Sequence, residues 1–138
     1  MDKERILSKL AEIEGYLGEI YENTPQSFEE YESNTVLKRA MERLLQITIE
    51  ACIDICAMLV KELKLGIPSK EEDFIQKLEN IVLSNEVVAS LKNMKKFRNL
   101  IVHGYSKIDD KLVYNILRED LVDIEKFISE VKEFLRKN

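Results

Sequence analysis

From Thr35 to Leu65 the chain reads TVLKRAMERLLQITIEACIDICAMLVKELKL, with neither glycine nor proline. Leu37, Ala40, Met41, Leu44, Ile47, Ala51, Ile55, Met58, Leu59 and Leu63 recur at steps of three and four, the period of one helix face. A stripe this long and broad needs other helices to cover it, so the segment predicts the central helix of a helical protein. Beside the stripe run Arg39, Arg43, Glu50 and Asp54, at steps of four, seven and four. Such a flank is either a set of solvated pairs along one helix or the border of an active cleft or dimer seam.

Outward from the centre the same period repeats. From Lys3 to about Tyr21, Ile6, Leu7, Leu10, Ile13, Leu17 and Ile20 mark an amphipathic helix, ended by Asn23-Thr24-Pro25. Ser27 and Glu30 have the spacing of a capping box, which predicts a short helical turn over 28–32. After the central helix, Gly66 and Pro68 act as stop signals. Ser69 and Glu72 suggest a second capping box, opening a helix over 70–83 that turns Phe74, Leu78, Ile81 and Val82 inward. Ser84 or Asn85 caps the next helix, in which Val87, Leu91, Met94, Arg98 and Ile101 lie on one line.

Gly104 stands where a helix C′ residue is expected. Ile108-Asp109-Asp110 then caps a final region in which Leu112, Val113, Ile116, Leu117, Leu121, Ile124, Phe127, Ile128, Val131 and Leu135 continue the stripe, with a break near Arg118 to Asp120. The expected fold is all-α: one domain spanning 1–138, an up-and-down bundle of four principal helices with one or two short extra helices.

Composition agrees with this fold and excludes several functional classes. Hydrophobic residues make up 45% of the 138 and charged residues 34%, against only 4 glycines and 2 prolines, which fits neither disorder nor a turn-rich all-β fold. A net charge of -5 argues against coating nucleic acid through bulk positive charge, yet permits a local basic patch. Cys52 and Cys56, four apart in the central helix, read as small buried apolar residues. With a single histidine in the chain, the usual ligands of a zinc site are too few, and no metal is expected. The charged start Met1-Asp2-Lys3-Glu4-Arg5 lacks a signal-peptide core. No apolar run approaches the ~18 residues of a membrane span. A cytoplasmic protein without a membrane association is expected.

Arg98 breaks this pattern, because its line on the helix is otherwise apolar and an unpaired charge there would be costly. Violations of this kind mark functional sites or specific buried partners. Five residues on stands His103, the only histidine, and two further on Tyr105. Histidine accepts and donates protons near neutral pH, and arginine holds phosphate through a fork of donors. Together they suffice for metal-free RNA cleavage. His103 would activate the ribose 2′-hydroxyl or protonate the leaving oxygen, while Arg98 would stabilise the phosphorane.

Geometry restricts that pairing. Residues five apart on a regular helix point ~140° away from each other. Arg98 and His103 therefore converge only if the helix loosens near Gly104 or if two chains meet across a symmetric interface. Asn99 and His103, four apart, do share a face. Spacing alone equally allows His103 to interact with the helix dipole, Arg98 to pair with Glu50 or Asp54, and Tyr105 to be a core aromatic. Lys92, Lys95, Lys96 and Lys107 surround the motif and are either a solvated face or an RNA-binding patch.

The run Arg98-Asn99-x-x-x-His103-x-Tyr105 resembles the R-x-x-x-x-H-x-Y motif of HepT-like proteins, toxins of the HEPN ribonuclease superfamily. The likeness extends over nearly the whole chain. Arg39 to Ile47 and Ile49 to Cys52 look like that family's central helix, and Gly66-Ile67-Pro68 and Ile108-Asp109 also match its pattern. The resemblance implies an all-α homodimer acting as a metal-independent RNA endonuclease without a cofactor, with Arg98 and His103 of both chains lining an interface cleft. Asn99 would support them, and Arg39, Arg43, Glu50 and Asp54 would stand behind. The implied partners are RNA rather than DNA and a minimal nucleotidyltransferase antitoxin of the MntA type, with Tyr105 as the adenylylation site. The alternative is a non-catalytic helical dimerisation module that binds a nucleotidyltransferase or a nucleotide.

Overall fold

A computed structural model describes residues 1–104 and 108–138. Tyr105 and Lys107, both singled out above, lie outside the described residues. Helix α1, Lys3–Asn23, is capped by Asp2, whose carboxylate accepts the Arg5 N–H at 3.1 Å. It buries Ile6, Leu10, Ile13, Leu17 and Ile20, whereas Leu7, expected in the stripe, is exposed. Ser27 caps α2, Phe28–Ser33, by accepting the Glu30 N–H, and α2 buries Tyr31.

Helix α3, Thr35–Glu62, runs through the middle. Its core side is set further round than the periodic count suggests. Met41, Leu45, Ile49, Cys52, Ile55, Cys56 and Leu59 are fully buried, while Leu44, Ile47 and Met58 are half-buried and Ala40 is exposed. The reason is that α3 packs against α1, α2 and two later helices, so its apolar residues are shared among several neighbours. Cys52 and Cys56 are free thiols, and burial pushes both well above the usual thiol range, which removes them from thiolate chemistry.

The end of α3 lies before the expected stop signals. Leu63 is the C-cap, Lys64 takes a left-handed φ of 54°, and the Leu65 N–H returns to the Val60 carbonyl at 3.0 Å. This is a Schellman ending built on a lysine, a conformation that costs a non-glycine residue about 1–2 kcal/mol. Gly66, at φ 105°, then turns the chain toward the next element.

The helix expected over 70–83 is only six residues long, α4, Glu71–Gln76. Lys70 is its N-cap residue without a side-chain bond, and Ser69 bonds Asp73, not Glu72, through both its N–H and its hydroxyl. Beyond α4 the backbone reverses at Asn80, φ 64°, whose N–H donates to the Leu83 carbonyl at 2.8 Å. Leu78 and Leu83 are thereby buried while Ile81 is half in solvent, so apolar spacing that suits a helix here serves a turn.

Helix α5, Asn85–His103, is capped by Ser84 and buries Val87, Leu91, Met94 and Arg98 on one line, as the spacing predicts. Asp109 caps α6, Asp110–Asn115; a π-helical turn over Ile116–Asp120 marks the expected break, and α7, Leu121–Lys137, completes the chain. The four long helices α1, α3, α5 and α7 form the bundle, each packed on the next, with α7 closing on α1. The short α4 sits against both α3 and α5. That placement determines the surroundings of Arg98.

Candidate active site

Arg98 projects from the buried side of α5 into the corner formed with α3 and α4, and only 9% of the residue is exposed. Three acceptors share its guanidinium. Nε donates to Asn99 Oδ1 at 3.0 Å, one terminal nitrogen to Glu50 Oε2 of α3 at 3.3 Å, and the other to Glu71 Oε1 of α4 at 2.5 Å. A buried cation with two carboxylates stays charged and oriented, which is how this sequence tolerates arginine in an apolar stripe. Glu50 is itself bonded by Gln46 Nε2 at 3.2 Å, so its carboxylate is fixed from its own helix as well.

His103 occupies the last position of α5 and is exposed. The helix stays regular through this residue, so the loosening that would bring it to Arg98 within one chain does not occur. Lys92, Lys96, Asn99 and His103 follow at steps of four, three and four, and thus lie along one side of α5. Lys95 stands between this line and the Arg98 line. Lys92 bonds the Gln76 side chain of α4.

Gly104 ends the helix differently from expectation. It is the C-cap, with extended backbone at φ -77° and ψ 91°, and its N–H donates to the Leu100 carbonyl at 2.9 Å. Glycine is needed there for closeness: a Cβ would lie 2.4 Å from the Leu100 oxygen. The end of α5 at Gly104 thus depends on the absence of a side chain, with no left-handed φ at that residue.

Other residues singled out by sequence fall elsewhere. Asp54 is exposed and pairs with Lys9 of α1 at 3.6 Å, so it does not join Arg98. Arg39 is engaged by the buried Glu42 at 2.8 Å, and Arg43 is exposed along the same helix. Burial pushes the Glu42 carboxyl upward, a shift that the Arg39 charge partly opposes. Of the four flank residues, only Glu50 contacts the candidate site. Glu71, by contrast, carries no periodic signal. Its only mark in the sequence is its place in the acidic run Glu71-Glu72-Asp73 after a helix stop.

What this arrangement offers chemically is a fixed guanidinium and an exposed imidazole on the same helix, with a line of lysines leading to the imidazole. Residues 6–131 match the family model described as Ribonuclease HepT-like. The chain is 34% identical over 89 residues to the mRNA nuclease HepT of Shewanella oneidensis, covering 64% of this chain and 67% of that protein. It is 27% identical over 131 residues to the tRNA nuclease HepT of Aphanizomenon flos-aquae, covering 94% of this chain and 89% of that protein. Among solved structures, a tri-AMPylated HEPN toxin of Shewanella oneidensis in complex with MNT antitoxin superposes with a TM-score of 0.87 at 28% identity, over 96% of this chain and 99% of that one.

Proposed function

The chain belongs to the HepT-like ribonuclease family, and on that footing we propose that it is a metal-independent RNA endonuclease, a single-domain toxin whose Arg98 and His103 act in a cleft between two copies. The observation that carries this reading is the placement of Arg98, a guanidinium held by two carboxylates on the helix that ends at the exposed His103. In such a site His103 moves the proton of the 2′-hydroxyl or of the leaving oxygen. Arg98 stabilises charge on the phosphorane, and Asn99 orients its Nε. Because the two side chains diverge on a regular helix, a second copy supplies the missing partner. Leu100 and Val102 flank His103 at 60% and 42% exposure, apolar surface that such a copy would cover.

Lys92, Lys95, Lys96 and Lys107 give the cleft a positive field that the acidic chain otherwise lacks. The relatives' names differ in the RNA they cut, so the substrate is assigned here only as RNA. The test is cleavage of cellular RNA by the purified chain in EDTA. Cut RNA is expected; intact RNA, or cutting that requires added Mg²⁺, overturns the metal-independent assignment.

The solved toxin is AMPylated and bound to an MNT antitoxin. By extension, a small nucleotidyltransferase would transfer AMP from ATP to the Tyr105 phenol oxygen, releasing pyrophosphate. Bulk and a phosphate charge two residues from His103 would then oppose RNA by sterics and like-charge repulsion. Protein isolated from its own cells should carry mass increments of adenylate, and Tyr105→Phe should lack them. Increments that persist in the variant exclude Tyr105 as acceptor.

The second reading, a non-catalytic helical module that binds a nucleotidyltransferase or nucleotide, draws on one observation. Each of the three guanidinium nitrogens of Arg98 donates to an acceptor of its own chain, as in a purely structural arginine. On that reading Arg98→Ala weakens partner binding and no preparation cuts RNA.

A further inference from the structure

We propose that Glu71 occupies, in the free chain, the place on Arg98 that an RNA phosphate takes, so that substrate must displace the start of α4 to reach the guanidinium. This rests on the ribonuclease reading and adds a competitor built into the site. A phosphate binds arginine best through two parallel N–H bonds. Here every guanidinium nitrogen already has an acceptor, and the Arg98 side chain is only 11% exposed. Two carboxylates against one guanidinium also leave a net negative charge where a phosphodiester would dock, which repels it until one carboxylate leaves.

The two carboxylates are not equally replaceable. Glu50 lies within the 28-residue α3 and is held by Gln46. Glu71 is the first residue of the six-residue α4, follows the connection that carries left-handed Lys64 and Gly66, and has a side chain 44% exposed. Its contact at 2.5 Å is nonetheless shorter than that of Glu50 at 3.3 Å. Glu50 is therefore the positioning residue, aiming the guanidinium from a rigid helix. Glu71 covers the guanidinium from a six-residue element that follows a glycine-containing turn, and is the one that exchanges with substrate.

Two measurements on the full chain test this. Phenylglyoxal labels accessible arginines, and peptide mass mapping reads Arg98 alone. Labelling of Arg98 should be several-fold faster in Glu71→Ala than in wild type or in Glu72→Ala; equal rates would show that Glu71 does not cover Arg98. In a His103→Ala background, Glu71→Gln should bind a single-stranded oligoribonucleotide about fivefold more tightly. In otherwise wild-type protein, the same change should lower KM, which a merely structural ion pair would not do. Unchanged or weaker RNA binding sinks the competitor role. If wild type and every variant fail to bind RNA, the ribonuclease reading falls, while the labelling result still decides whether Glu71 shields Arg98.

Discussion

Arg98→Ala should lower the rate of RNA cleavage by about 10³-fold, the scale at which removal of a preorganised donor to a developing oxyanion is felt. The same substitution should also cost stability, because the arginine stem fills the corner between α3, α4 and α5. That second cost is modest. Glu50 and Glu71 are 35% and 44% exposed, so once unpaired they recover hydration, and the loss is about 1–2 kcal/mol of packing. Arg98→Lys separates the two effects, since an ammonium keeps the charge but cannot reach Asn99, Glu50 and Glu71 together. It should restore most of the thermal stability and little of the rate. Wild-type cleavage by Arg98→Ala in a folded protein would remove Arg98 from the chemistry altogether.

His103→Ala should lose about 10²–10⁴-fold in rate, the contribution of one positioned acid–base group, with the melting temperature nearly unchanged. The contrast follows from burial. His103 is exposed at the end of α5, and its worth to the helix is at most that of a cation near the last carbonyls, a few tenths to about 1 kcal/mol. Mixing the two inactive variants tests where the site is built. If each site draws Arg98 from one copy and His103 from the other, random re-association of Arg98→Ala with His103→Ala should return about a quarter of the wild-type rate. No recovery from mixed dimers would place both residues of a working site on one chain.

Much of this architecture is legible in the sequence. The period of three and four along α1, α3, α5 and α7 follows from the need of each helix to bury one side, and all four lie where that period places them. Local chemistry identified three caps, as Ser27, Ser84 and Asp109 accept backbone N–H groups where a short polar side chain precedes a helix, but not at Ser69, where Lys70 is the N-cap. Arg98 was visible for a different reason: a charge on an apolar line demands partners, and it has them.

Local reading failed where competition between distant residues decides the outcome. Leu78, Ile81 and Val82 fit a helix, but Leu78 and Leu83 are buried around a reversal at Asn80 instead. Gly104 was expected at C′ and is instead the C-cap, where a Cβ would meet the Leu100 carbonyl, a closeness that no spacing rule contains. Asp54 shares a face with Glu50 but lies about 6 Å further along α3, and there it meets Lys9 of α1 instead of Arg98.

By itself, then, the order of residues determined an all-α bundle, its four long helices and the anomalous arginine near the single histidine, because periodicity, caps and a misplaced charge are local properties. Only the tertiary structure decided which carboxylates hold that arginine. Glu50 and Glu71 lie 48 and 27 residues away from it, and they reach it because α3 and α4 pack on the same side of α5.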